Sequence, residues 1–205
     1  MNIFSLTILF AVILTFPVSC LAQDTGFFAL DNVIQAVRSA DYAVVSRAND
    51  IFVPYPDQHR AEQARDKAKR GLYKDLRCTV WFSKYDVDIY RLHTIISRAV
   101  FLDGQRAQVP LNWVGTFHDM PESGKLNEWL SNTGLRPAMI QARFAGRLLV
   151  VVYHPIGLQP AHVIHEALHF YFGDDDERLA GRLGVEVTDT DTTAISREVA
   201  RHCKF

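Results

Sequence analysis

Residues 160–173 read Pro-Ala-His162-Val-Ile-His165-Glu166-Ala-Leu-His169-Phe-Tyr-Phe-Gly173, and no other stretch of the chain limits its folding so tightly. Pro160 suits the first turn of a helix and Gly173 its end. From His162 to Tyr171 the only acidic or basic side chain apart from histidine is Glu166. At about 100° per residue, His165 and His169 stand one turn apart on one face, and Glu166 lies on the same side, offset along the axis. Two imidazoles and a carboxylate on a helix of Val, Ile, Leu and Phe are costly to bury without a partner. A metal ion is the simplest partner, since both imidazoles can reach one Zn²⁺ at about 2.0–2.1 Å. Glu166 is then placed to take a proton from water on the ion without binding the ion itself. With eight histidines in 205 residues, chance yields this triplet in about one such chain in a hundred.

His165-Glu166-Ala-Leu-His169, on an uncharged helix that follows a strand-like segment, resembles the active-site helix of the zincin metallopeptidases. The resemblance spans 147–183. It implies Zn²⁺ as cofactor, His165 and His169 as ligands, Glu166 as general base, and a peptide or protein as substrate. It also implies that the upstream strand, 148–153, is a sheet edge on which an extended peptide pairs. The longer metzincin pattern is not met, because Gly173 comes four residues after His169 and Asp175 stands where a third histidine would.

Instead, Asp174-Asp175-Asp176-Glu177 opens a second helix running to about Leu183. This resembles compact zincins in which a carboxylate early in the next helix turns back to the metal. Asp176 and Glu177 are the leading candidates for third ligand, Asp175 follows by spacing, and Glu198 is the option from the last helix. The same acids also have a structural reading: Asp174 and Glu177 form a D-x-x-E capping pair, and acids favour a helix's first turn. His162, three residues before His165, is either a hydrogen-bond donor to the transition state or a partly exposed first-turn residue. Tyr153 and His154, at the mouth of the strand-to-helix loop, are candidate oxyanion donors. His59, His93, His118 and His202 have no spacing partner.

The N-terminus is of another kind. Residues 2–21 carry no charge, 3–18 are mostly apolar, and small residues at Cys20 and Ala22 suit signal-peptide cleavage after Ala22. The alternative is a lipoprotein signal with Cys20 acylated, which Pro17 fits poorly. The run is short of the roughly 20 residues of a spanning helix. Either way residues 23–205 are expected to form one exported domain, periplasmic or secreted. In an oxidising compartment Cys78 and Cys203 can join as a disulfide, the alternative being two separate buried thiols. With 22 Lys+Arg against 23 Asp+Glu, the chain lacks the basic footprint of a nucleic-acid binder.

Periodicity predicts helices over 30–47 and 58–76, the latter with a solvated face from Arg60 to Arg70, then a strand over 78–82 and a helix over 89–102. Residues 105–124 read as irregular, with a strand near 113–117. A short helix over 125–131 precedes a hairpin of 138–144 and 148–153, and 189–193 caps a last helix over 194–202. Phe27, Phe28, Trp81, Phe82, Trp113, Phe117 and Trp129 read as core. The sum is an α+β, zincin-like domain with a small mixed or antiparallel sheet and an N-terminal helical part. A zinc-dependent hydrolase is the leading functional reading. The alternative is an exported non-catalytic binding or structural protein with a structural or degenerate metal site. Three protein ligands would favour the first and four the second.

Overall fold

The computed structural model describes residues 50–115, 120–186 and 193–205. The expected export signal, the helix over 30–47, Phe27, Phe28, Phe117, His118 and Asp189 lie outside them. The described residues form a mixed α+β structure of seven α-helices and a three-stranded sheet. In chain order these are α1 (Gln58–Lys74), α2 (Leu76–Ser83), α3 (Ile89–Ser97), β1 (Val100–Asp103), α4 (Leu126–Thr133), β2 (Met139–Phe144), β3 (Arg147–Val152), α5 (Pro160–Phe172), α6 (Asp176–Arg182) and α7 (Ala194–His202). None of the helices is long and apolar enough to cross a membrane.

The strand order is β1-β3-β2, with β1 parallel and β2 antiparallel to β3. The β2–β3 hairpin forms where the sequence predicts it. Its two turn residues, Ala145 and Gly146, have φ of 47° and 71°, the left-handed pair that a two-residue turn needs to match strand twist. Alternation along β3 sends Leu148, Val150 and Val152 into one core and Leu149 and Val151 into another. Both faces are covered, so the strand is apolar at nearly every position. The first core lies between the sheet and helices α1, α2, α3, α5, α6 and α7. In it Ala61, Ala64, Ala68 and Leu72 form a buried stripe on α1, behind the charged outer face, and these small side chains let α1 lie close to its neighbours.

Three expectations are corrected. Residues 78–82 are helical: Asp75 caps α2 by accepting from the Arg77 N–H, and Cys78, Trp81 and Phe82 are buried at helical spacing while Val80 faces solvent. The helix over 89–102 ends at Ser97, and Val100–Asp103 pairs with Leu149–Val152 as a strand; a pairing about fifty residues away in sequence overrides the local period. The upstream strand is not an edge. β3 is central, and β2 is the edge nearest the C-terminal helices. Near residue 113 there is a 3₁₀ turn, Leu111–Trp113, followed by an isolated bridge from Val114 to Ala142.

Cys78 and Cys203 form a disulfide between α2 and the end of α7, 125 residues apart in sequence. Both are fully buried. Cross-linking so long a loop removes unfolded-state entropy worth about 4–5 kcal/mol in the loop-closure model. Replacing both cysteines by Ser is expected to lower unfolding free energy by roughly 2–5 kcal/mol, measured by urea denaturation under oxidising conditions. Loss of less than about 1 kcal/mol would show that the bridge adds little to the fold.

Candidate metal centre

Helix α5 is held at both ends. Pro160 occupies its first turn. At the other end Gly173 is left-handed (φ 78°) and its N–H donates to the His169 carbonyl. Arg143, reaching over from β2, donates from Nη2 to the carbonyls of His169 and Phe170, both at 2.8 Å, and its guanidinium lies 4.8 Å from the Phe170 ring centre. These bonds satisfy carbonyls that a helix end otherwise leaves open. They also set the rotation of α5 about its axis, and so the direction of the two motif histidines.

Both imidazoles point at one carboxylate oxygen. His165 Nε2 lies 3.0 Å and His169 Nε2 3.1 Å from Asp176 Oδ1. The far side of each ring is also tied. His169 Nδ1 is 2.7 Å from the Asp174 carbonyl, an oxygen that only accepts, so Nδ1 carries the proton. His165 Nδ1 is 3.0 Å from the hydroxyl of Ser196, a buried residue of α7. A neutral His169 thus turns the lone pair of Nε2 toward an anionic oxygen, an arrangement that is repulsive unless a cation lies between. A proton can serve, and so can a metal ion. Around a tetrahedral ion with bonds of about 2.0–2.2 Å, ligand atoms are roughly 3.3–3.6 Å apart. The observed separations fall a few tenths of an ångström short of that, and ligand atoms of all three residues lie within 4.8 Å of one another. The three side chains therefore fit a divalent ion, with each imidazole oriented from behind as metal-binding histidines generally are.

Charge follows the same geometry. Burial would raise the Asp176 carboxyl, but hydrogen bonds from His165 and His169 outweigh it and hold the group well below the carboxylate range. Burial pulls His165 down to about 4 against its bond to Asp176. For His169 burial also pulls down, but the Asp176 bond and the Glu166 charge prevail and raise it. Glu166 is buried beside them, and loss of hydration pushes its carboxyl up to about 8 despite the attraction of His169 and a hydrogen bond from the Gln141 backbone N–H. A carboxyl near neutrality is suited to proton transfer in both directions.

Of the candidate third ligands, the structure brings Asp176 to the histidines and leaves the others elsewhere. Glu177 is exposed and outside the cluster. Asp175, not Asp174, caps α6, accepting from the Arg178 N–H at 2.8 Å. Asp174 binds the Arg182 guanidinium at 2.8 Å, and Glu198 that of Arg201 at 2.8 Å. Sequence reasoning missed three supporting residues: Ser196 behind His165, Arg143 at the end of α5 and Gln141 against Glu166. A serine among Ala194, Ile195 and Val199 on the buried face of the last helix was the available signal for the first. The other two depend on strand pairing and had none. His59 meets Gln63, His93 the Tyr73 ring and His202 stacks on Trp81, all away from the cluster.

The site opens to a cleft of about 210 Å³. Its walls are the start of β2, the preceding segment 135–138, and His162, His165, Glu166, His169 and Asp176. His162 sits at this cleft with a buried Nδ1 that has no hydrogen-bond partner among the described residues. Tyr153 and His154 face a neighbouring cavity instead. About two-fifths of the Asp176 side chain remains accessible, at 38%. Among the described residues no fourth ligand completes the set. Comparison with family models, with curated proteins and with solved structures finds no match to this chain.

Two outcomes follow. Asp176→Asn is expected to weaken zinc binding by at least about 100-fold in competition with a chromophoric chelator, while Glu177→Gln leaves it unchanged; the reverse pattern would reassign the ligand. In metal-free protein, Glu166 has a folded value near 8 above an unfolded value of about 4.3. Its neutral form is harmless below the unfolded value, and the penalty grows as pH rises from there through about 8. Metal-free Glu166→Gln should therefore gain stability over metal-free parent as pH is raised from 5 to 8.5, on the order of a few kcal/mol, in urea titrations at each pH.

Proposed function

We propose that the protein is an exported zinc-dependent hydrolase of zincin type that cleaves peptide bonds. The observation that carries this reading is a three-residue ligand set, His165, His169 and Asp176, open on its cleft side with the buried carboxyl of Glu166 alongside. Three protein ligands with a free position are the pattern of catalytic zinc, whereas closed structural sites use four. When bound there, zinc would polarise a substrate carbonyl and make a nearby water more acidic.

The chain's own groups do the rest. The outer edge of β2 before the Val114–Ala142 bridge lines the cleft and suits an extended peptide laid beside it. Glu166 accepts one proton as the water oxygen adds to the carbonyl carbon. It then delivers that proton to the amide nitrogen as the C–N bond breaks, yielding a carboxylic acid and an amine. The Ser196 hydroxyl and the Asp174 carbonyl hold the two imidazoles from behind throughout. The disulfide supports an oxidising compartment for the mature chain, which agrees with an N-terminal export signal.

Glu166→Gln tests the mechanism. The variant is expected to keep zinc and the parent's circular-dichroism spectrum while hydrolysis of a peptide library falls by at least about 10³-fold. Retained turnover would remove Glu166 from the reaction. Parent protein that binds zinc but cleaves nothing would favour a non-catalytic metal site.

A further inference from the structure

The metal cleft does not end at the motif. Segment 135–138 is a wall it shares with a second cavity of about 640 Å³. Leu135 and Ile156 stand at this second cavity 43% and 54% exposed, so apolar surface is available there for a ligand to cover. Among the described residues its polar groups are neutral or basic, and no Asp or Glu lines it. Arg136, which borders both cavities, has no carboxylate partner among the described residues, and its guanidinium reaches only the Leu135 carbonyl at 3.1 Å. His154 accepts from the Ile156 N–H at Nδ1, so its neutral ring keeps its proton on Nε2, a donor. Ser131 and Gln105 add a hydroxyl and an amide. Tyr153 and Asn127 satisfy each other at 2.7 Å.

We infer that this second cavity is a specificity subsite for a carboxylate of the substrate, held by Arg136 with His154 beside it, while Leu135 and Ile156 cover the adjoining carbon atoms. The inference rests on the reading of the metal cleft as a peptidase site and names the substrate class that site takes: peptides with an acidic side chain, or a free C-terminal carboxylate, a short distance from the scissile bond. An unpaired guanidinium at the junction of the two cavities favours that group through a charge-assisted bond, and bidentate geometry would make Lys a poor substitute.

The test uses hexapeptide pools, random except for one fixed Glu, Gln or Lys at each position in turn. They are amide-capped in one series and end in a free carboxylate in the other. Each pool is equilibrated with the Glu166→Gln protein, and with Arg136→Gln and Arg136→Glu made in that background, with and without added zinc. Retained peptide is quantified by mass spectrometry. Glu pools should be retained roughly tenfold over Gln pools at one position. Arg136→Gln should bring the two to parity, and Arg136→Glu should turn the preference toward Lys. If the free-carboxylate series alone shows the Arg136-dependent gain, the bound group is the chain terminus. Parity in the starting background, a preference that survives Arg136→Gln, or no retained peptide overturns the inference. Zinc content and hydrolysis by the parent report separately on the metal cleft. An Arg136-dependent preference in a protein that fails both would leave the subsite standing and remove the peptidase reading.

Discussion

Everything around the C-terminal helices follows from one confrontation: two imidazole nitrogens and a carboxylate oxygen, about 3 Å apart, in a largely dehydrated place. His165 can donate to that oxygen, but His169, its Nδ1 proton given to the Asp174 carbonyl, meets it with a lone pair unless a proton or a metal ion lies between. The protein has arranged for that charge to be shared by three elements. α5 brings both histidines and α6 brings Asp176. α7 brings Ser196 to the back of His165. The candidate cation site is thus also the joint at which three helices meet, so a cation bound there would be linked to the packing of this region.

The rest of the fold acts on that joint through identifiable bonds. Arg143 ties the end of α5 to the edge strand, so the orientation of His169 depends on the sheet as well as the helix. The Cys78–Cys203 bridge fixes the end of α7, the helix that carries Ser196. Alanines on α1 let the helical layer close over the apolar side of α5, leaving its polar side for the cleft. Glu166 is the exception to this economy. It is buried at a cost that the attraction of His169 and a bond from the edge strand offset only in part, and a costly buried carboxyl in a cleft is the kind of group that functional sites favour.

The site was legible in the sequence wherever spacing along one helix decided it. His165, Glu166 and His169 sit on a single element, so local geometry placed those three together, while the acids opening the next helix were left as alternatives. Glu177 looked equivalent in the sequence, but one further step around α6 turns its side chain to solvent. Ser196, Arg143 and Gln141 come from elements whose approach depends on non-local packing, and no local period marks them. The same division explains the fold. The hairpin and α5 carry their own turn and end signals. β1 is a strand because β3 is there to receive it, and 78–82 is helical because Cys78, Trp81 and Phe82 must face the same core. The order β1-β3-β2 moves the edge to β2, and with it the line on which a peptide would lie.

The cation can be read by elemental analysis of the purified protein after exhaustive dialysis against metal-free buffer and re-addition of stoichiometric zinc. A cation held among His165, His169 and Asp176 predicts about one zinc per chain, retained through gel filtration. No bound metal and no uptake when zinc is supplied would mean that a proton alone separates these groups, and would contradict the account.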